Sequence, residues 1–190
     1  MAPETTKQET LANHEPGGVT SIGQSLAGKY MAFKLAAEEY GLEILKVREI
    51  IGLMDITHVP RTKEFIRGVI NLRGKVIPVI DLRVKFGMEQ VEATDQTVII
   101  VVQCSVATHE LTMGILVDEV LEVLSIAAKQ IEPPPNFGSG AVDTNFILGV
   151  GKAEKRVIFL LDIAKVLTDE EIKHLVKTTN GEPLSVNGDQ

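Results

Sequence analysis

Few side chains in this 190-residue chain have the type and spacing that chemistry requires. Its four histidines, His14, His58, His109 and His174, fall in a terminal segment, a loop, a turn and a C-terminal helix, and no pair has metal-ligand spacing. Cys104 is the single cysteine, set inside an apolar strand pattern, which excludes a disulfide framework and fits a reducing cytoplasm. There is no GxSxG nucleophile turn, no GxxxxGK[ST] phosphate loop and no GxGxxG; Gly149–Val150–Gly151 supplies only part of the last. Glu49 and Glu122 could act as paired carboxylates in acid–base work, but internal repetition gives both one structural position. Asp81 and Asp162 read as caps at strand ends, each followed by an apolar, helix-like turn. These residues disfavour an enzyme and call for no cofactor and no metal. Arg73 remains. It stands beside Gly74 at the tip of FIRGVINLRGKVIPVIDLR (65–83), where a guanidinium next to an apolar residue suits bidentate recognition of carboxylates or carbonyls on another protein.

The elements that would position Arg73 are mostly strands. Residues 1–26 are polar and aperiodic and are expected to form a disordered tail. From Tyr30 the pattern alternates, with Met31, Phe33 and Leu35 on one side of a strand. YGLEILKVREIIGL reads as one or two strands with a bend. Gly68–Leu72 and Lys75–Asp81 form a hairpin around Arg73–Gly74, glycine supplying the positive φ of a tight turn. Pro78 cannot donate to a ladder and implies an edge or a bulge. TVIIVVQC and ELTMGILVDEVLEVLSI continue the sheet. Thr168 with Glu171 is a capping box opening a helix over DEEIKHLVK. Residues 181–190 are again loose.

Charge narrows the partners. The net charge is −7, of which residues 1–26 and 181–190 carry −2 each, so the remainder is mildly acidic. Nucleic-acid binding by counterion release wants the opposite sign, and with no Trp and two Tyr stacking platforms are scarce. The apolar runs, such as Val98–Val102, are far too short to span a bilayer, and the N-terminus has no secretory pattern.

Comparing the chain with itself is more informative. GLEILKVREIIGL (41–53) lies over GILVDEVLEVLSI (114–126) at an offset of 73, so that Val47 meets Val120 and Glu49 meets Glu122. Residues 65–83 lie over 146–164 at an offset of 81, matching Gly68 to Gly149 and Asp81 to Asp162. The second tip has Glu154 where the first has Arg73. Two blocks agreeing in order indicate a duplicated unit of about five short strands, each half closing into a small barrel. Neither half would bury much alone, so the two are expected to share an apolar interface.

EEYGLEILKVREI, FIRGVINLRGKVIPVIDLRVKF and GILVDEVLEVLSI together resemble the CheW family, the coupling proteins of bacterial chemotaxis, over about Tyr30–Leu175. The resemblance implies a mainly β fold of two five-stranded SH3-like barrels on a shared hydrophobic core, with a short C-terminal α-helix. The domain would run from 27 to 180, its barrels covering roughly 36–90 and 97–165. It further implies a non-enzymatic adaptor that couples the cytoplasmic hairpin tip of chemoreceptors to the regulatory domain of the histidine kinase CheA. Such an adaptor is cytoplasmic, held near the inner face of the membrane by receptor arrays, and self-association in rings is compatible with it. Carried over by position, receptor contacts would be Val47, Glu49, Arg73, Thr97, Val98, Val120 and Val123, and kinase contacts Ile56, Arg67, Gly68 and Gly74. The alternatives are a CheW-like module of a larger protein, from a CheA kinase or a CheV-type fusion, or a small-molecule-binding double barrel; the polar tails favour a complete short chain.

Overall fold

The computed structural model describes residues 20–106, 108–135 and 144–180. Its strands are β1 (Gly28–Leu35), β2 (Glu38–Glu43), β3 (Val47–Gly52), β4 (Ile66–Leu72), β5 (Lys75–Asp81), β6 (Val98–Val106), β7 (His109–Val117), β8 (Glu119–Ile126), β9 (Ile131–Glu132), β10 (Ile147–Ala153) and β11 (Arg156–Leu161). Helices α1 (Ser21–Leu26), α2 (Leu82–Lys85) and α3 (Asp169–Asn180) accompany them. α1 lies in the segment expected to be an unstructured tail. Thr20 caps it by accepting from Gly23 N at 3.0 Å, and Tyr30 Oη donates to Leu26 O at 2.6 Å. Residues 1–19 and 181–190, expected to be loose, lie outside the described residues.

Two sheets form, in the orders β3-β6-β7-β5-β4 and β8-β1-β2-β11-β10-β9. Each is joined end to end by the stretch of chain that leaves its first strand. After β3 the chain returns so that Thr57 pairs with Val69 of β4, and after β8 it returns as β9 to pair with β10. This closes two barrels, as the repeat implied. Their composition differs from the expected 36–90 and 97–165 division. Barrel one takes β3, β4 and β5 from the first half and β6 and β7 from the second; barrel two takes β1 and β2 from the first and the rest from the second. The halves are interlocked because β2 bends at Ile44–Lys46 into β3, and β7 passes through Asp118 into β8, each crossing to the other barrel. Parallel pairs, β5 with β7 and β2 with β11, mark where a hairpin of one half lies beside a hairpin of the other. Pro78 faces its antiparallel mate Val69 one residue before the parallel ladder to β7 begins at Val79, where a missing N–H costs little.

Packing concentrates the core between the barrels. Among the described residues, the barrel interiors hold six and five buried apolar residues and the cluster between them twenty-two, so most core burial lies at the seam. Alternation divides the duties of a strand: on β6, Ile99 and Val101 fill barrel one while Ile100, Val102 and Cys104 face the seam. Strand ends are capped as read from sequence. Asp81 Oδ1 accepts from the N–H groups of Arg83 and Val84 at 3.0 and 3.3 Å, and Asp162 Oδ1 accepts from Ala164 N at 3.1 Å. α3 opens on the Thr168–Glu171 box, with Thr168 N donating to Glu171 Oε2 at 2.8 Å and Glu171 N donating to Thr168 Oγ1 at 3.3 Å. Ile172 and Leu175 then anchor α3 in the seam core.

Candidate functional site: the barrel seam and the Arg73 hairpin

The β4–β5 tip is a two-residue turn in which Arg73 and Gly74 both have positive φ, 51° and 85°. That is the left-handed pair a hairpin twisting with its strands demands. Asn71 Oδ1 holds the turn by accepting from Gly74 N at 2.9 Å. From this perch the Arg73 guanidinium reaches β3, where Nη1 and Nη2 donate to Glu49 Oε1 and Oε2 at 2.7 and 2.6 Å. The fork keeps the Glu49 carboxyl below its usual range, chiefly through the hydrogen bond from Arg73, and raises the guanidinium in turn. The Arg73 side chain nevertheless remains 73% exposed.

The other positions expected to contact a receptor fall into groups. Val47 of β3, Val98 of β6 and Val120 of β8 are half-buried and pack on the rim of the seam core. Val47 is opposite Val102, and Val98 is opposite Gly52, so these two stand at opposite ends of the β3–β6 ladder. Val120 pairs with Phe33 and Val123 with Met31 on barrel two, where Val123 is half exposed. Thr97, half-buried, immediately precedes β6 and accepts through Oγ1 from Thr94 N at 2.9 Å. Arg73 and Glu49 therefore meet directly, while the valines line the junction of the barrels on both sides.

The positions expected to contact the kinase have structural duties of their own. Gly68 is buried at φ +138°, and a Cβ there would stand 2.1 Å from the Thr57 carbonyl oxygen and 3.0 Å from Ile56 Cγ2. It is the close approach that closes barrel one. Ile56 packs on the interior of that barrel. Arg67 donates from Nη1 to the buried Asp81 at 3.3 Å. Gly74 has open space around its Cα.

Some residues of the site were not singled out by sequence reasoning. Arg156 of β11 donates from Nη2 to Glu122 Oε1 at 2.6 Å and from Nη1 to Glu39 Oε2 at 3.4 Å. Glu122 is the repeat mate of Glu49, so both barrels bind this carboxylate with an arginine, drawn from the tip in one and from two residues past it in the other. The exposed apolar residues Ile50 and Val76 are the mates of the exposed Val123 and Val157 at the same offsets of 73 and 81, a signal the self-comparison already contained. Of the histidines, His58 and His109 are exposed and His174 is half-buried on α3; His14 lies outside the described residues. Among the described residues no group of three or more His, Cys, Asp or Glu is placed to hold a metal.

Two interlocked SH3-like barrels with a broad apolar seam, a salt-bridged hairpin tip and a C-terminal helix define a mainly β scaffold. The CheW-like domain model matches residues 29–171, and the chain belongs to that family. It is 41% identical over 150 residues to a chemotaxis protein CheW of Klebsiella aerogenes, covering 79% of this chain and 87% of the relative. With a chemotaxis protein CheW of Rhizobium meliloti it shares 36% identity over 141 residues, covering 74% and 88%. The crystal structure of the scaffolding protein TtCheW from Thermoanaerobacter tengcongensis is similar at a TM-score of 0.67 and 37% identity, over 77% of this chain and 96% of that one.

Proposed function

We propose that this chain is a non-enzymatic adaptor of bacterial chemotaxis that seats the cytoplasmic helical hairpin of a chemoreceptor on the barrel seam. In this reading barrel one, around Arg67 and Gly74, receives the regulatory domain of the histidine kinase CheA. The protein then works at the cytoplasmic face of the membrane through the receptors. No helix among the described residues is long and apolar enough to cross it.

The observation that carries the reading is the Arg73–Glu49 fork. A guanidinium has five N–H donors, and Glu49 occupies two sites of it, leaving the others toward solvent in a fixed orientation. A pre-oriented cation loses little rotamer freedom on binding, so it gives register at low cost. Val47, Val98 and Val120 beside the seam supply apolar surface for the stripe of a helix.

The test is a pull-down with receptor cytoplasmic fragments, with and without CheA. Arg73→Glu places a repelling carboxylate beside Glu49 and is expected to weaken receptor capture by at least about tenfold, as loss of a central arginine anchor does. Lys155→Glu, at the exposed second tip, serves as control and is expected to bind as the wild type. Normal receptor capture by Arg73→Glu removes the tip from the interface.

A further inference from the structure

We propose that Asp118 is a positioning residue for the seam, setting the spacing of the two barrels on which the valines stand. The inference rests on the seam being the docking groove. Asp118 occupies the crossover between β7 and β8, where the chain leaves barrel one for barrel two. Its Oδ2 accepts from Arg83 Nη1 of α2 at 2.5 Å and from the backbone N–H of Ala36, in the β1–β2 turn, at 2.7 Å. Its own N–H donates to Lys34 O at 3.1 Å. One carboxylate thereby ties α2, which continues from β5 of barrel one, to the first hairpin of barrel two.

Its partner is itself held. Arg83 also donates through Nε to Glu89 O at 3.0 Å, and its backbone N–H is one of those capped by Asp81, whose other oxygen binds Arg67. Arg83 is largely covered, with its side chain 14% exposed, so the pair is shielded more than a surface salt bridge. Next along the chain, Glu119 accepts from Gln96 Nε2 at 3.4 Å and lies 3.9 Å from Lys34 Nζ. Thr97 and Val98 follow Gln96, and Val120 follows Glu119. Three of the proposed groove residues thus flank this junction, two on barrel one and one on barrel two.

Repetition provides an internal comparison. The mate of Asp118 at the offset of 73 is Leu45, in the other crossover, which has no polar side-chain atom and is 77% exposed. Among the described residues, the crossover pinned by an ion pair is the one beside Thr97, Val98 and Val120.

The experiment combines a distance with an affinity. Spin labels at Lys75→Cys and Lys155→Cys report the separation of the two hairpin tips by pulsed EPR, with native Cys104 buried. Asp118→Ala is expected to broaden that distribution and to weaken binding of a receptor cytoplasmic fragment by about tenfold per folded molecule. Asp118→Asn, which keeps an acceptor for Ala36 N but not the charge facing Arg83, is expected to fall between it and the wild type, and it carries the test if the alanine variant does not fold. An unchanged distance distribution overturns the proposal, as does a loss of binding wholly accounted for by the unfolded fraction. Failure of the wild type to bind the fragment would sink the docking reading, while the EPR comparison still decides whether Asp118 sets the barrel spacing.

Discussion

Replacing Gly68 by alanine tests the closure of barrel one. The added Cβ would lie 2.1 Å from the Thr57 oxygen and 2.8 Å from its carbonyl carbon, both backbone atoms that cannot swing aside. To admit it, the chain must give up Thr57 N to Val69 O at 2.8 Å and Val69 N to Thr57 O at 2.9 Å. Two hydrogen bonds contribute about 2 kcal/mol net. A non-glycine residue at φ +138° adds strain of about 1–3 kcal/mol. The expected loss is therefore about 3–5 kcal/mol, which lowers Tm by roughly 6–20 °C in a domain of this size. Urea denaturation followed by circular dichroism measures it directly. Gly149, the repeat mate, meets Glu132 O at 2.9 Å without a positive φ, so Gly149→Ala is expected to cost only about 1–2 kcal/mol. Gly74 at φ +85° has nothing within 4 Å, so Gly74→Ala carries backbone strain alone, about 1 kcal/mol. If Gly68→Ala proves no less stable than Gly74→Ala, the close-approach argument is wrong. If Gly68→Ala keeps wild-type stability yet no longer binds kinase, the position is a contact and not a closure.

Two further perturbations probe the core. Glu171 is buried at the start of α3, where Lys85 Nζ donates to its two oxygens at 2.8 and 3.0 Å and Lys63 Nζ at 2.9 Å. Burial pushes its carboxyl up, but the hydrogen bonds from Lys85, the Thr168 N–H and Lys63 outweigh that and hold it down to about 2. A depressed carboxyl stabilises the fold above its ordinary value of 4.5 and loses that contribution as pH falls through about 2. Because Lys63 is well exposed, Glu171→Gln is expected to cost about 1–2 kcal/mol at pH 7, and the gap from wild type in urea melts closes progressively below pH ~4. Phe33, fully buried in the seam core and stacked on Tyr40 at 5.8 Å, is expected to cost about 3–5 kcal/mol as alanine. Circular dichroism and tyrosine fluorescence of that variant are expected to give one coincident transition; two separated transitions would show that the barrels unfold independently.

Much of the local architecture was legible in the residues. The hairpin at Arg73–Gly74, the caps at Asp81 and Asp162 and the Thr168–Glu171 box depend on atoms a few residues apart, and their signals are correspondingly short. The duplication was also legible, since a copied strand pattern survives in the apolar positions at offsets of 73 and 81. Of the candidate site, the strand positions of Glu49 and Val120 and the tip position of Arg73 could be read, but not what they touch. Glu49 lies 24 residues from Arg73, and Arg156 lies 34 from Glu122, and nothing in local alternation announces either pairing.

The sequence by itself determined that there would be two similar sets of strands, where the chain would turn, and that a guanidinium would stand at one tip. Only the tertiary structure decided which strands share a barrel. Alternation specifies which face of a strand is apolar but not its neighbour, because backbone donors and acceptors are the same in every strand. The choice fell to the seam. Carrying β2 into β3 and β7 into β8 across the junction lets both halves bury their largest apolar faces against each other, and the same crossing placed Asp118, Val98 and Val120 together.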